Sequence, residues 1–94
     1  MRAERYLLPQ EEKIKYVLNG KTYYYTREEL KEYKKQLYAE NGYPFDDEED
    51  LDEYIEMILD RLRKYNGDPY GHLPPPMSNY LHDIEAAGGI YVIH

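Results

Sequence analysis

Residues 13–29 read Lys13-Ile14-Lys15-Tyr16-Val17-Leu18-Asn19-Gly20-Lys21-Thr22-Tyr23-Tyr24-Tyr25-Thr26-Arg27-Glu28-Glu29, two strand-like runs followed by a helix start. Asn-Gly between β-rich runs is the strongest short-range hairpin signal, because both central residues of a type I′ turn need positive φ. A two-residue loop fixes the register, pairing Leu18 with Lys21, Tyr16 with Tyr23 and Ile14 with Tyr25. Ile14, Tyr16, Leu18, Tyr23 and Tyr25 then share one face, the expected core face. Lys13, Lys15, Val17, Thr22 and Tyr24 share the other. Thr26 and Glu29 form a capping box, each side chain positioned to satisfy the other's backbone amide.

Outward from this stretch the pattern turns helical. A helix over 27–41 places Leu30, Tyr33, Leu37 and Tyr38 on one side, with Glu32 and Lys35 spaced to pair, and stops at Asn41-Gly42. A second helix, 50–65, carries Leu51, Tyr54, Ile55, Ile58, Leu59, Leu62 and Tyr65 at helical spacing, with acids at its start and Arg61, Arg63 and Lys64 at its end. Asn66-Gly67-Asp68-Pro69 ends it. Residues 68–77 read as a Pro-rich connector, with Pro74-Pro75-Pro76 in polyproline II. Ser78 is then expected to cap a short helix bearing Leu81, Ile84 and Ala87. Ile90-Tyr91-Val92-Ile93 is expected as a third strand, since an isolated two-stranded hairpin is marginal. Residues 1–11 read as an irregular arm anchored at Leu7-Leu8-Pro9. The expected fold class is α+β: one domain over 1–94, a small antiparallel sheet (hairpin 13–25 plus strand 90–93) packed on two main helices.

Composition bounds the chemistry. The chain has 94 residues, 19 acids against 12 bases, a net charge of −7, no Cys, no Trp, and 13 Tyr with one Phe. Area scaling for this size buries about 65% of the unfolded surface, which supports a modest core and leaves little room for a deep cleft. Ile, Leu, Val and Phe make up only about a fifth of the residues, near the disordered boundary. Tyrosine compensates: its ring buries like a hydrophobe while its hydroxyl seeks a partner. A thin core rimmed by tyrosines follows. Without cysteine there are no disulfides, thiolate zinc sites or thiol catalysis. No apolar run approaches a membrane span, and the N-terminus lacks a signal-peptide stretch, so the expected location is cytoplasmic. The negative balance opposes direct binding to nucleic acid or anionic membrane.

The charge is concentrated. Asp46, Asp47, Glu48, Glu49, Asp50, Asp52, Glu53, Glu56 and Asp60 put −9 into residues 46–60 with no base among them, leaving +2 for the rest. Over a helix this is about one charge per 2.5 Å, against one per ~1.7 Å of duplex DNA. Glu49 stacks on Glu53, Asp52 on Glu56 and Glu56 on Asp60, each like-charged pair costing tenths of a kcal/mol. An acidic run is most often a solvated face, and acids suit a helix start. That dipole argument stops short of Glu56 and Asp60.

Other constellations carry less. From Asp46, an EF-hand would need Gly where Leu51 stands and Glu where Met57 stands. His82-Asp83 has no companion histidine at ligand spacing, so no metal, cofactor or catalytic residue is assigned. An exposed carboxylate run makes a poor general acid. In composition and charge layout the chain resembles small acidic inhibitors of phage and mobile elements: DNA mimics, anti-restriction and anti-CRISPR proteins. That resemblance implies a non-enzymatic inhibitor whose helix 46–60 occupies a basic groove of a nucleic-acid-processing partner. Tyr43, Tyr54 and Tyr65 would be flanking anchors. The alternatives are a protein–protein adaptor using the sheet or Pro-rich segment, and a single-strand nucleic-acid binder using Tyr24 and the hairpin lysines.

Overall fold

The computed structural model describes residues 12–91; the arm 1–11 and residues 92–94 lie outside the described residues. Asn19 and Gly20 take φ of 54° and 84°, as a type I′ turn requires, and the hairpin closes in the expected register. It joins β1 (Ile14–Leu18) to β2 (Lys21–Tyr25). Thr26 then caps α1 (Arg27–Glu40) through the full reciprocal box, Glu29 N–H to Thr26 Oγ1 and Thr26 N–H to Glu29 Oε1. Asp47 caps α2 (Glu48–Lys64) by accepting from the Asp50 amide. With α3 (Pro75–Ala86) this is a small α+β fold.

The core lies between the hairpin's inner face and the apolar stripes of α1 and α2: Tyr16, Leu18, Leu30, Leu51, Ile55, Ile58, Leu59 and Leu62. Tyr25 and Ile14 pack against it half-buried. Tyr23, expected inside, is 39% exposed. Its ring stacks on Tyr25 at 6.1 Å, and Tyr25 in turn stacks on Tyr33 at 5.6 Å, so the tyrosines continue past the end of the aliphatic core as a ladder. Glu32 accepts from Gln36 at 2.9 Å rather than pairing with Lys35. Gly67, at φ 93°, brings its carbonyl 2.7 Å from the Val17 amide and so covers the outer edge of β1. An added Cβ there would meet Lys15 Cγ at 2.9 Å, which leaves glycine alone able to make both the turn and the approach.

The C-terminal third departs from expectation. The extended stretch ends at Pro74, whose backbone (φ −62°, ψ 151°) caps α3, and Pro75 and Pro76 form the helix's first turn. Proline is tolerated there because those amides have no intrahelical acceptor. Ser78 is therefore inside the helix, its N–H bonded to Pro74 O at 2.9 Å. The buried face of α3 is Ser78, His82 and Glu85, while Leu81 and Ile84 are only half-buried and Ala87 is exposed beyond the last turn. The expected third strand does not form over Ile90 and Tyr91, and Val92 and Ile93 fall outside the described residues. The described sheet has two strands. Gly88 at φ 87°, the Gly89 N–H to Ile84 O bond, and the Asn41 amide on Gly88 O turn the chain back at the end of α3. Ile90 and Tyr91 consequently line a groove with α2 and α3 instead of joining the hairpin.

Candidate interaction surface

The acidic helix divides into two rows. Glu48, Asp52 and Glu56, spaced by four, face α1, where Arg27 and Lys31 share the same spacing. Lys31 Nζ lies 2.6 Å from Glu48 and 2.8 Å from Asp52; Arg27 reaches Glu56 at 3.0 Å and Asp52 at 3.6 Å. Hydrogen bonds to Asp52 and Glu48 raise the Lys31 pKa, and the same contact from Lys31 lowers that of Asp52. The like-charged stacking of Asp52 on Glu56 is thus offset by a facing cationic pair, a structural role that the charge count alone does not separate out. Asp46, Asp47, Glu49, Asp50, Glu53 and Asp60 are exposed and form no ion pair among the described residues. Asp47 is occupied as a cap, so the outward charge belongs chiefly to Glu49, Asp50, Glu53 and Asp60. Met57 stands among them, 42% exposed.

The flanking tyrosines separate. Tyr43 is exposed. Tyr54 turns inward, packing on Phe45 at 5.4 Å and sharing a 3.0 Å hydroxyl–hydroxyl bond with Tyr38. Tyr65 closes the end of α2 over Gly71 and His72. Between α2 and the hairpin a concavity of 610 Å³ sets Lys15 and Arg63, with Glu12 and Glu56, around Ile14, Leu59 and Leu62.

A buried polar centre lies beneath. Lys34 and Glu85 are 1% and 2% exposed at the side chain and 3.1 Å apart. Oε2 of Glu85 also accepts from Tyr16 and Tyr33, at 2.5 and 2.6 Å, and Oε1 accepts from Tyr70. Lys34 donates in addition to Tyr16 Oη at 2.7 Å, and its ammonium lies over the Tyr16 and Tyr33 rings. Burial by itself would raise the Glu85 pKa; the Lys34 charge and the hydroxyls of Tyr16, Tyr33 and Tyr70 outweigh it and hold Glu85 ionised. Burial works against the Lys34 charge and lowers its pKa despite Glu85. Burial and the Glu85 charge together push Tyr16, Tyr33 and Tyr70 up, so these phenols stay protonated. Both carboxylate oxygens are filled by protein donors. The sequence signal was Lys34 itself, four residues after Leu30 and three before Leu37 in an apolar stripe.

His82 is held at both nitrogens. Nδ1 accepts from the Asn19 amide at 2.7 Å, and Nε2 lies 2.8 Å from Asp68 Oδ1, which also accepts from the Tyr70 amide. The ring thus ties α3 to the hairpin turn, and its acidic partner is Asp68 rather than the adjacent Asp83. No group of three or more potential ligands converges on a metal site among the described residues. Tyr24 is 60% exposed on the lysine face of the hairpin, yet Lys13 there is bound to Glu29 at 3.2 Å. No helix among the described residues is long and apolar enough to cross a membrane. The chain matches no family model, and neither curated proteins nor solved structures give a significant match.

Proposed function

We propose that this chain is a non-enzymatic binding protein, acting in the cytoplasm as an inhibitor, whose acidic helix α2 occupies a basic, nucleic-acid-binding surface of a partner protein. The observation that carries this reading is the outward row Glu49, Asp50, Glu53 and Asp60, exposed and unpaired among the described residues while the inner acids are matched by α1. The preference of a helix start for acids accounts for Glu49 and Asp50 but not for Glu53 and Asp60, which lie beyond the first turn. Carboxylates on a rigid helix meet a phosphate-binding groove with the charge it is built to accept, and the neutralised inner row keeps the helix seated while they do so.

Reversing Glu49, Asp50, Glu53 and Asp60 to Lys, with Asp52 and Glu56 left intact, is expected to abolish capture of the partner from host lysate. The far-ultraviolet circular dichroism should remain unchanged. Capture by the unaltered chain should fall steeply between low- and high-salt washes. Partner retained undiminished by the reversed variant would overturn the proposal.

A further inference from the structure

α1, α2 and α3 line a groove of 330 Å³ that reaches the Lys34–Glu85 pair and whose apolar walls include Met57, Leu81, Ile84, Ile90 and Tyr91. The apolar α3 wall follows from the way that helix is seated. Because Ser78, His82 and Glu85 take the buried face, the helix's apolar residues Met77, Tyr80, Leu81 and Ile84, spaced i, i+3, i+4, i+7, form a stripe along the side of the fold. Met77 is 39% exposed, Tyr80 53% and Tyr91 47%, with the Tyr80 and Tyr91 rings edge-to-face at 6.1 Å. Across the groove Met57 is flanked on its own helix surface by Glu53, four residues before it, and Asp60, three after. An apolar strip thus runs beside an acidic shoulder.

We propose that this strip docks a basic amphipathic helix of the partner protein. The proposal rests on the acidic-helix reading above and names the partner's chemistry. Aliphatic side chains of the docked helix enter over Leu81 and Ile84 between Met57 and Met77, whose flexible thioethers adapt to varied shapes. Its lysines or arginines face Glu53, Asp60 and, further along α2, Asp50 and Glu49. Arg61 also lines the groove, with Lys64 one turn beyond, and these two bases receive the C-terminal, negative end of the docked helix's dipole. A second copy of this chain is the weaker occupant: its acidic helix would bring acids against acids, and the rest of it offers only +2. A phosphorylated or nucleic-acid ligand meets the same repulsion.

The probe is a synthetic Leu/Lys amphipathic peptide of about five helical turns, roughly 18 residues, with a Leu/Glu twin as control. Binding is followed by calorimetry and by the NMR methyl signals of Met57 and Met77. The Leu/Lys peptide should bind at micromolar concentrations and shift both methionine signals, whereas the Leu/Glu twin should do neither. Met77→Asp with Tyr80→Asp, two exposed positions, should weaken the peptide at least tenfold, as should Glu53→Lys with Asp60→Lys. Binding that is indifferent to Met77→Asp with Tyr80→Asp, or shifts confined to the hairpin, would overturn the groove. So would a concentration-dependent dimer that disperses with the same double variant. In lysate capture the two ideas separate. Loss on acid reversal but retention by the Met77/Tyr80 variant defeats the groove and leaves the acidic helix; retention by both variants defeats both.

Discussion

Replacing Glu85 with alanine should lower the folding free energy by about 3–5 kcal/mol, the cost of leaving one member of a buried ion pair without the other. Two losses combine. Lys34, 1% exposed, loses the carboxylate that supports its charge and is left with only the Tyr16 hydroxyl, and the hydroxyls of Tyr16, Tyr33 and Tyr70 lose their common acceptor. An orphaned buried donor costs about 1–3 kcal/mol, though the donors around one carboxylate will not add independently. Domains of this size are stable by about 5–15 kcal/mol, so the variant should be partly or wholly unfolded at ambient temperature. Lys34→Met should be milder, because Glu85 retains three phenolic donors. The double variant should be less destabilised than the two single effects combined. Glu32→Ala, an exposed acid on α1, is the control and should stay within about 0.5 kcal/mol of the unaltered chain. Urea unfolding followed by circular dichroism reads all four. A Glu85→Ala loss under about 1 kcal/mol would mean that the centre does not form.

Alkaline unfolding should be the second large effect. Burial is the main cause holding Tyr16, Tyr33, Tyr54 and Tyr70 well above the usual phenolic range, with the Glu85 or Tyr38 neighbour adding to it. Each raised pKa gives stability that is fully present below about pH 10, where an unfolded tyrosine titrates, and is lost as pH rises above it. The loss is roughly 1.4 kcal/mol per pH unit per group, so four together approach about 5 kcal/mol per pH unit. Lys34 opposes this only while the unfolded lysine still holds its proton, below about pH 10.4. The fold should therefore collapse cooperatively within one to three units above pH ~10. Tyrosinate absorbance should show Tyr16, Tyr33, Tyr54 and Tyr70 ionising only together with loss of the helical signal. Thirteen tyrosines ionising in a single step near pH 10 with the fold intact would contradict the buried hydroxyls.

Much of the molecule was legible because its signals are local. The Asn19-Gly20 turn, its register, the Thr26–Glu29 capping box and the stripe of α2 each depend on residues within a few positions of one another. What stayed hidden is long-range polar pairing. Lys34 and Glu85 are 51 residues apart, and apolar periodicity has no way to score a carboxylate whose partners arrive from β1, α1 and a loop. The same blindness rotated α3: periodicity selected Leu81 and Ile84 for the inside, whereas satisfied polar groups at Ser78, His82 and Glu85 took that place. The acidic window was visible as charge, but its division into a seated row and a free row depended on Arg27 and Lys31, on a separate helix. Their four-residue spacing, matching Glu48, Asp52 and Glu56, was the available clue.

The attachment of α3 has a consequence for how the molecule comes apart. Apolar contacts are non-directional and allow a helix to slide or lift while keeping part of its stabilisation. A carboxylate gripped by four donors allows neither, because a shift of a bond length forfeits several hydrogen bonds at once. Lifting α3 away would also strand the Lys34 charge in the heart of α1. The C-terminal helix therefore has no inexpensive way to fray as a unit, and α3 should come away only together with its hold on α1 and β1.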